Sequence, residues 1–339
     1  MKALVTGANG QSSSYLVELL LEKGYDVIGV VRRSSTNTLG RLTTAMKNPN
    51  LKIITGDITD LSSVFSFLSS ERPDQIYNLG AMSHVGVSFE QPIQTWRSVA
   101  EGCLNMLEGM RMFCPEARFY QASSSEQFGS SFSIDENTGE KYQSEDTPFK
   151  PQSPYAIAKV AAHNSVNLYR KAYGLHASCG ILFNHESPRR GLNFVTRKIT
   201  HHLGQIHKTA QYEKSTSKLY PTSNEKLRLG NLHSYRDWGH AKDYVRAMYL
   251  MLQQDEPDDY VVCTGETHTV EQFLAQAFEY AGFGDYRPHV VIDPALIRPS
   301  EVDYLRGCCL KAKQVLGWEP QYNFLSLCKE MVAEDLRWS

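Results

Sequence analysis

The chain has no apolar run approaching the roughly 20 residues that cross a bilayer, no excess of charge of either sign, and no cysteine pair at a zinc-binding or redox spacing. The first absence argues against a membrane protein. A formal net charge of −2 over 339 residues leaves no electrostatic footprint for nucleic acid, so any anionic ligand must be held by local groups. The cysteines (Cys103, Cys114, Cys179, Cys263, Cys308, Cys309 and Cys328) are odd in number and lack CxxC spacing, so reduced thiols and no metal are expected. The adjacent Cys308 and Cys309 lack that spacing, and a redox device there is the alternative to plain reduced thiols. The N-terminus enters a β-like segment without a charged leader or cleavage site, which implies a cytoplasmic protein. What remains is ordinary globular composition, 41% hydrophobic and 21% charged, in a chain long enough for one large α/β unit or two packed domains.

Short β-branched runs alternate with amphipathic ones over the first third. Lys2–Thr6, Asp26–Val31, Leu51–Ile54, Gln75–Leu79 and Arg118–Ala122 read as strands, and Ser14–Lys23 as a helix. Such alternation predicts an α/β fold with a doubly wound parallel sheet. A helix at Pro154–Tyr173 and a strand at His176–Leu182 extend it. The polar stretch His207–Lys226 then reads as a surface excursion. The pattern resumes with a helix at Asp243–Gln254, a strand at Tyr260–Thr264 and a helix at Val270–Ala281, so the parts of the chain interleave.

The first strand runs into Gly7-Ala-Asn-Gly10-Gln-Ser-Ser13 and then a helix. A glycine turn beside the N–H groups of a helix start suits a pyrophosphate, with Gly7, Asn9, Gly10, Gln11 and Ser12 as its contacts. Ser13 stands where a third glycine is expected. The second strand ends in Arg32-Arg33 rather than an acid. An acid would bond the ribose diol, whereas Arg32 offers a fork to a 2′-phosphate, which favours NADP over NAD. A solvated basic turn is the alternative. Asp57 and the adjoining Ile58 follow the third strand on the adenine side. Leu79–Ser83, including Ala81, follow the fourth on the nicotinamide side.

Tyr155 and Lys159 lie four apart in a segment that Pro154 opens as a helix, so both share one face. An ammonium near a phenol stabilises the phenolate, which can take a carbinol proton as hydride leaves. The fifth strand ends in Gln121-Ala-Ser-Ser-Ser-Glu126-Gln-Phe-Gly, where catalytic groups of an open α/β sheet collect.

The glycine loop, this serine cluster and the Tyr-Lys helix together resemble the extended short-chain dehydrogenase/reductases. Longer segments resemble the GDP-mannose 4,6-dehydratase family within them: Arg32-Arg-Ser-Ser-Thr-Asn-Thr, Ser83-His-Val-Gly-Val-Ser-Phe-Glu, Phe183-Asn-His-Glu-Ser-Pro-Arg-Arg-Gly and Arg236-Asp-Trp-Gly-His-Ala-Lys-Asp-Tyr-Val. The resemblance implies a Rossmann-type domain of residues 1–183 and 236–265 and a smaller, interleaved C-terminal substrate domain of 184–235 and 266–339. It implies a GDP-sugar substrate and NADP. Ser124 and Glu126 match the family threonine and glutamate, with Tyr155 and Lys159 completing the catalytic set. His185 and Arg190 fall beside NADP. Ser83, Ser125, Asn184, Lys198, Arg236, Arg298 and Glu301 fall on the substrate. Epimerases and reductases of the same fold have no task for an acid at Glu126 and remain the rival reading, as does a non-catalytic NADP-binding regulator.

Departures from the family pattern bear on the sugar. Ser12-Ser13 replaces Asp-Gly, Met82 a glutamine, Gln94 a tyrosine and Cys308 an aspartate, while His207–Lys226 is longer than expected. Loss of an amide at Met82 makes a different sugar, such as a GDP-heptose, the alternative substrate. The segment Arg32–Arg41 resembles a loop that reaches a neighbouring subunit's cofactor, which implies a homodimer or homotetramer.

Overall fold

A computed structural model describes residues 1–216 and 226–337. Seven parallel strands form its sheet: β1 (Lys2–Thr6), β2 (Asp26–Val31), β3 (Leu51–Thr55), β4 (Gln75–Asn78), β5 (Arg118–Ser124), β6 (Ala177–Leu182) and β7 (Asp259–Val262). Their order is β7-β6-β5-β4-β1-β2-β3. The strands are apolar on both sides because helices cover both faces. Helices α1 (Gln11–Glu22), α8 (Ala241–Met251) and α10 (Leu310–Leu316) bury Leu16, Tyr244, Met248 and Leu316 against one face. Helices α2 (Leu61–Glu71), α5 (Gly102–Phe113) and α6 (Pro154–Tyr173) bury Phe67, Met106, Leu107, Ala158 and Val166 against the other.

A second, smaller core joins α7 (Val195–Thr216), α9 (Val270–Tyr280) and α11 (Phe324–Arg337) through Leu203, Phe273, Phe278, Leu327 and Met331. Two short helices, α3 (Val85–Glu90) and α4 (Pro92–Trp96), lie between β4 and α5. Among the described residues no helix is long and apolar enough to cross a membrane. The polar stretch does not leave regular structure at His207, because α7 continues to Thr216; positions 217–225 lie outside the described residues.

Chain order reverses between β1 and β4, which opens a crevice at the carboxyl ends of the strands. A polar chain ties three strand ends together there. Thr6 Oγ1 accepts the N–H groups of Leu79 (3.0 Å) and Gly80 (2.9 Å) and donates to Asn78 Oδ1 (2.8 Å). Asn78 Nδ2 then donates to Gln121 Oε1 (2.8 Å).

Candidate active site

A cavity of about 880 Å³ occupies this crevice and reaches into the smaller core. Every residue that the sequence reading assigns to the site lines it except Arg32, Asp57, Ile58 and, within Leu79–Ser83, Met82. The walls come from chain segments far apart in sequence, gathered by the strand ends and by a parallel pairing of Asn184–Glu186 with Trp238–His240.

At one end lies the glycine turn. Gly7 has φ +61°, and a Cβ there would lie 3.0 Å from the Gly80 Cα, so the turn and its closeness to the β4 end both require glycine. Gly10 N donates to Gly7 O (2.8 Å), and no side chain caps α1, whose amino end is left facing the cavity. Ser13, in place of the third glycine, is buried beside Gly10. Ser12, in place of the family aspartate, bonds His185 Nε2 (2.8 Å). Since His185 Nδ1 faces Phe183 O (3.0 Å) and must donate to it, Nε2 is the acceptor and the Ser12 hydroxyl the donor. Burial first, then the Arg190 charge, lowers the His185 pKa to about 4, so this ring stays neutral at physiological pH. Gln11 Nε2 also donates to His185 O (2.9 Å). The turn is thereby anchored to a segment from the other half of the chain.

A second cavity, of about 180 Å³, lies beyond the end of β2. Arg32, Arg33, Ser34, Thr36 and Thr38 line it, and Asn9 Nδ2 donates to Thr38 Oγ1 (3.0 Å) at its edge. Arg41 comes from the same loop but lines the main cavity, donating to Asn9 O (3.1 Å) and Arg189 O (2.8 Å) of its own chain. The sequence assigned Arg41 only to a loop; its place beside the glycine turn follows from a fold-back that no local pattern encodes. Asp57 stands apart from both cavities, its carboxylate accepting the Thr59 N–H (2.9 Å) and hydroxyl (2.8 Å). Ile58 is buried against α5, its carbonyl taken by Asn105 Nδ2 (2.9 Å).

At the centre β5 runs two residues further than expected, to Ser124, and enters a tight turn at Ser125–Gln127. Ser124 Oγ accepts the Glu126 N–H (3.3 Å) and Gln127 Oε1 accepts the Ser124 N–H (2.9 Å), so the turn is capped from both sides. Behind it the Ser123 hydroxyl donates to Gln127 Oε1 (2.6 Å) and lies 3.0 Å from His163 Nδ1. Gly129 (φ +54°) closes the turn. On the facing helix, Ser153 caps and Pro154 opens α6, placing Tyr155 and Lys159 one turn apart. Both are buried, and the Lys159 ammonium lies 5.7 Å from the Tyr155 ring centre and donates to Ala122 O (2.5 Å). Burial drives the Tyr155 phenol up to about 12, opposed by a hydrogen bond with Ser124. Burial also brings Lys159 down to about 8.

At the far end the charges alternate. Arg236 Nη2 lies 3.1 Å from Glu301 Oε1, while Arg298 Nη1 lies 3.6 Å from both Glu301 Oε1 and Glu126 Oε1. Asn184 and Lys198 share this wall, and Arg190 pairs with Glu186 (3.0 Å) while lying over the Phe194 ring (3.6 Å). Three family departures fall elsewhere. Met82 is half-buried outside the cavity lining, its N–H donating to Ser98 Oγ (3.3 Å). Gln94 is exposed on α4, and Cys308 donates its N–H to Gln143 O (2.8 Å), away from the cavity. The cavity lining therefore lends no support to a sugar preference argued from Met82.

A family model described as GDP-mannose 4,6 dehydratase matches residues 4–331. The chain is 50% identical to GDP-mannose 4,6 dehydratase 1 of Arabidopsis thaliana, the match covering 98% of this chain and 89% of the relative. It is 44% identical to the GDP-mannose 4,6 dehydratase of Homo sapiens, covering 98% and 91%. Among solved structures, a dTDP-glucose 4,6-dehydratase from Streptomyces venezuelae with NAD bound shares the fold, with a TM-score of 0.82 at 22% identity over 98% of this chain and 96% of that one.

Proposed function

The chain belongs to the GDP-mannose 4,6-dehydratase family, and on that premise we propose that it converts GDP-mannose to GDP-4-keto-6-deoxymannose and water. A glycine turn that tolerates no Cβ and an uncapped amino end of α1, both facing the cavity, suit a dinucleotide pyrophosphate. A dinucleotide bound there would supply a nicotinamide able to accept the hydride of sugar C4 and return it to C6.

The protein's own groups manage the protons. Tyr155 is placed to take the proton of the C4 hydroxyl; burial keeps its phenol protonated in the empty cavity, so the phenolate forms only with added positive charge beside it, from Lys159 and a bound oxidised nicotinamide, and with the Ser124 hydroxyl bonded to the same oxygen. The ketone at C4 acidifies the C5 proton, and the Glu126 carboxylate removes it. The C6–O bond then breaks, and a proton delivered to that oxygen makes the leaving group water. At the end C5 regains a proton. The observation that carries the reading is Glu126, a carboxylate on the cavity wall in the same turn as Ser124 and facing Tyr155. Arg236, Arg298, Lys198, Asn184 and Glu301 hold the GDP part, and Ser83 and Ser125 border the sugar. In this division of labour residues 1–183 and 236–265 form mainly the cofactor side, from which Ser83, Ser125 and Arg236 reach the GDP-sugar, and 184–235 with 266–339 form mainly the GDP-sugar side, from which His185 and Arg190 reach the cofactor.

Arg32 beside the second cavity supports NADP as the form bound, because a guanidinium fork fits a 2′-phosphate. All cysteines stand free, which suits a reducing compartment such as the cytoplasm. A homo-oligomer is supported by apolar side chains exposed on three neighbouring helices: Ile93 and Trp96 on α4, Leu104 and Met112 on α5, and Ile157 and Leu168 on α6.

Mass spectrometry of the protein with NADP and GDP-mannose should show loss of one water, and in deuterium oxide the product should carry deuterium at C5. Glu126→Gln should permit oxidation at C4, seen as transient NADPH absorbance, while dehydration falls about 10²–10⁴-fold. Tyr155→Phe should leave no absorbance change. Dehydration at the normal rate by Glu126→Gln would remove the assignment.

A further inference from the structure

The four charges at the far end of the cavity are unequally held. Arg236 sits on the short strand Tyr235–Arg236, its side chain 8% exposed, with Nη2 at 3.1 Å from Glu301 and Nη1 donating to Tyr235 O at 2.9 Å. Glu301 therefore already has a close partner. Arg298 lies on an irregular segment after the turn Pro294–Leu296, its side chain 29% exposed, and reaches both carboxylates only at 3.6 Å, beyond hydrogen-bonding distance. Of the two guanidiniums it is the movable one. Lys198 and Arg236 contribute the other positive charge on this wall, and Glu301 and Glu126 the negative.

We propose that Arg298 is exchanged during binding: in the empty cavity it lies between Glu126 and Glu301, 3.6 Å from each, and the diphosphate of the incoming GDP-sugar draws it away and leaves the Glu126 carboxylate free. This rests on the reading of Glu126 as the base and of this wall as the diphosphate site. In the empty cavity Arg236 and Arg298 stand beside Glu301 and Glu126, so neither carboxylate is an uncompensated charge on a half-buried wall. A diphosphate bonds guanidinium bidentately and with more charge than one carboxylate, so it wins the competition for the loosely held arginine. With Arg298 drawn to the diphosphate, the Glu126 carboxylate is left free to meet the C5 proton only when substrate is in place. Binding of the nucleotide end is thereby coupled to chemistry at the sugar end. A sugar without a diphosphate would meet a carboxylate that still has Arg298 beside it.

GDP separates this exchange from catalysis, because it carries the diphosphate but no sugar for Glu126 to act on. Calorimetric titration of GDP into the full-length protein saturated with NADP reads it directly. Glu126→Gln should tighten GDP binding about 3- to 5-fold, the upper end of the scale of a partly exposed ion pair. In an Arg298→Gln background the same Glu126→Gln change should alter GDP affinity less than twofold. Glu126→Ala, measured in both backgrounds, covers any folding defect peculiar to Gln, with circular dichroism confirming the fold. An equal gain in both backgrounds means direct repulsion between Glu126 and the diphosphate and overturns the exchange. No gain in the otherwise native protein overturns it as well. If GDP does not bind the unaltered protein at all, the assignment of this wall to the diphosphate falls, and the exchange with it.

Discussion

Lys159 places an ammonium where water does not reach, with one carbonyl, Ala122 O, to receive it. Its pKa in the fold, about 8, lies below that of an exposed lysine because burial penalises the charged form. Below pH 8 both folded and unfolded chains are charged here and the cost to folding is complete. Between pH 8 and the unfolded value the unfolded chain holds the extra proton, so stability rises with pH and the cost fades. That cost is at most about 3 kcal/mol. Lys159→Met should therefore raise the melting temperature at pH 7 by about 2–4 °C while abolishing hydride transfer, and its advantage should shrink above pH 9. A variant that melts lower at pH 7 would show that the hydrogen bond to Ala122 outweighs the burial of charge. The same residue shows what local sequence carries: a spacing of four on one helix face names Tyr155 and Lys159 without a structure. Met82 shows the converse, for its neighbours in sequence line the cavity while its own side chain does not.

The elements themselves were largely legible because each has its own punctuation. β1 hands over to α1 through glycines, α6 begins at Ser153-Pro154, and the central strands are apolar runs between helices. The apolar pattern of β5 stops at Ala122, two residues short of its end, whereas pairing with β6 carries the strand through Ser124. The alternating charges at Glu126, Arg236, Arg298 and Glu301 join segments that meet only in the tertiary fold, so no spacing rule reaches them; resemblance to a family supplied them instead. The turn after β5 depends on Gly129, where a Cβ would lie 1.8 Å from Lys150 O and φ is +54°. Gly129→Ala should destabilise the protein by about 2–4 kcal/mol and lower kcat by displacing Glu126, measurable by chemical denaturation and steady-state rates. A fully stable, fully active variant would mean that the Lys150 segment yields without effect on the turn.

For the whole molecule, the exposed apolar side chains on α4, α5 and α6 form the face most suited to a second copy of the chain, since Leu168 and Ile157 are 60% and 50% exposed in the single chain. The unaltered protein should sediment as a dimer or tetramer, and Leu168→Glu should shift it toward monomer; a variant that sediments unchanged would place the contact elsewhere. The path of the chain has a consequence for dissection. β7 pairs with β6 from the far side of the sequence, and α8 and α10 cover the face that α1 shares. A fragment ending after β6 would keep the glycine turn, the serine turn and Tyr155, yet it would present a bare sheet edge and an unroofed apolar face. Its deletion series would register solubility rather than catalysis. A fragment of residues 1–183 should regain a soluble fold only when residues 184–339 are supplied in trans, which makes the protein a natural candidate for split-protein reconstitution rather than for domain transplantation.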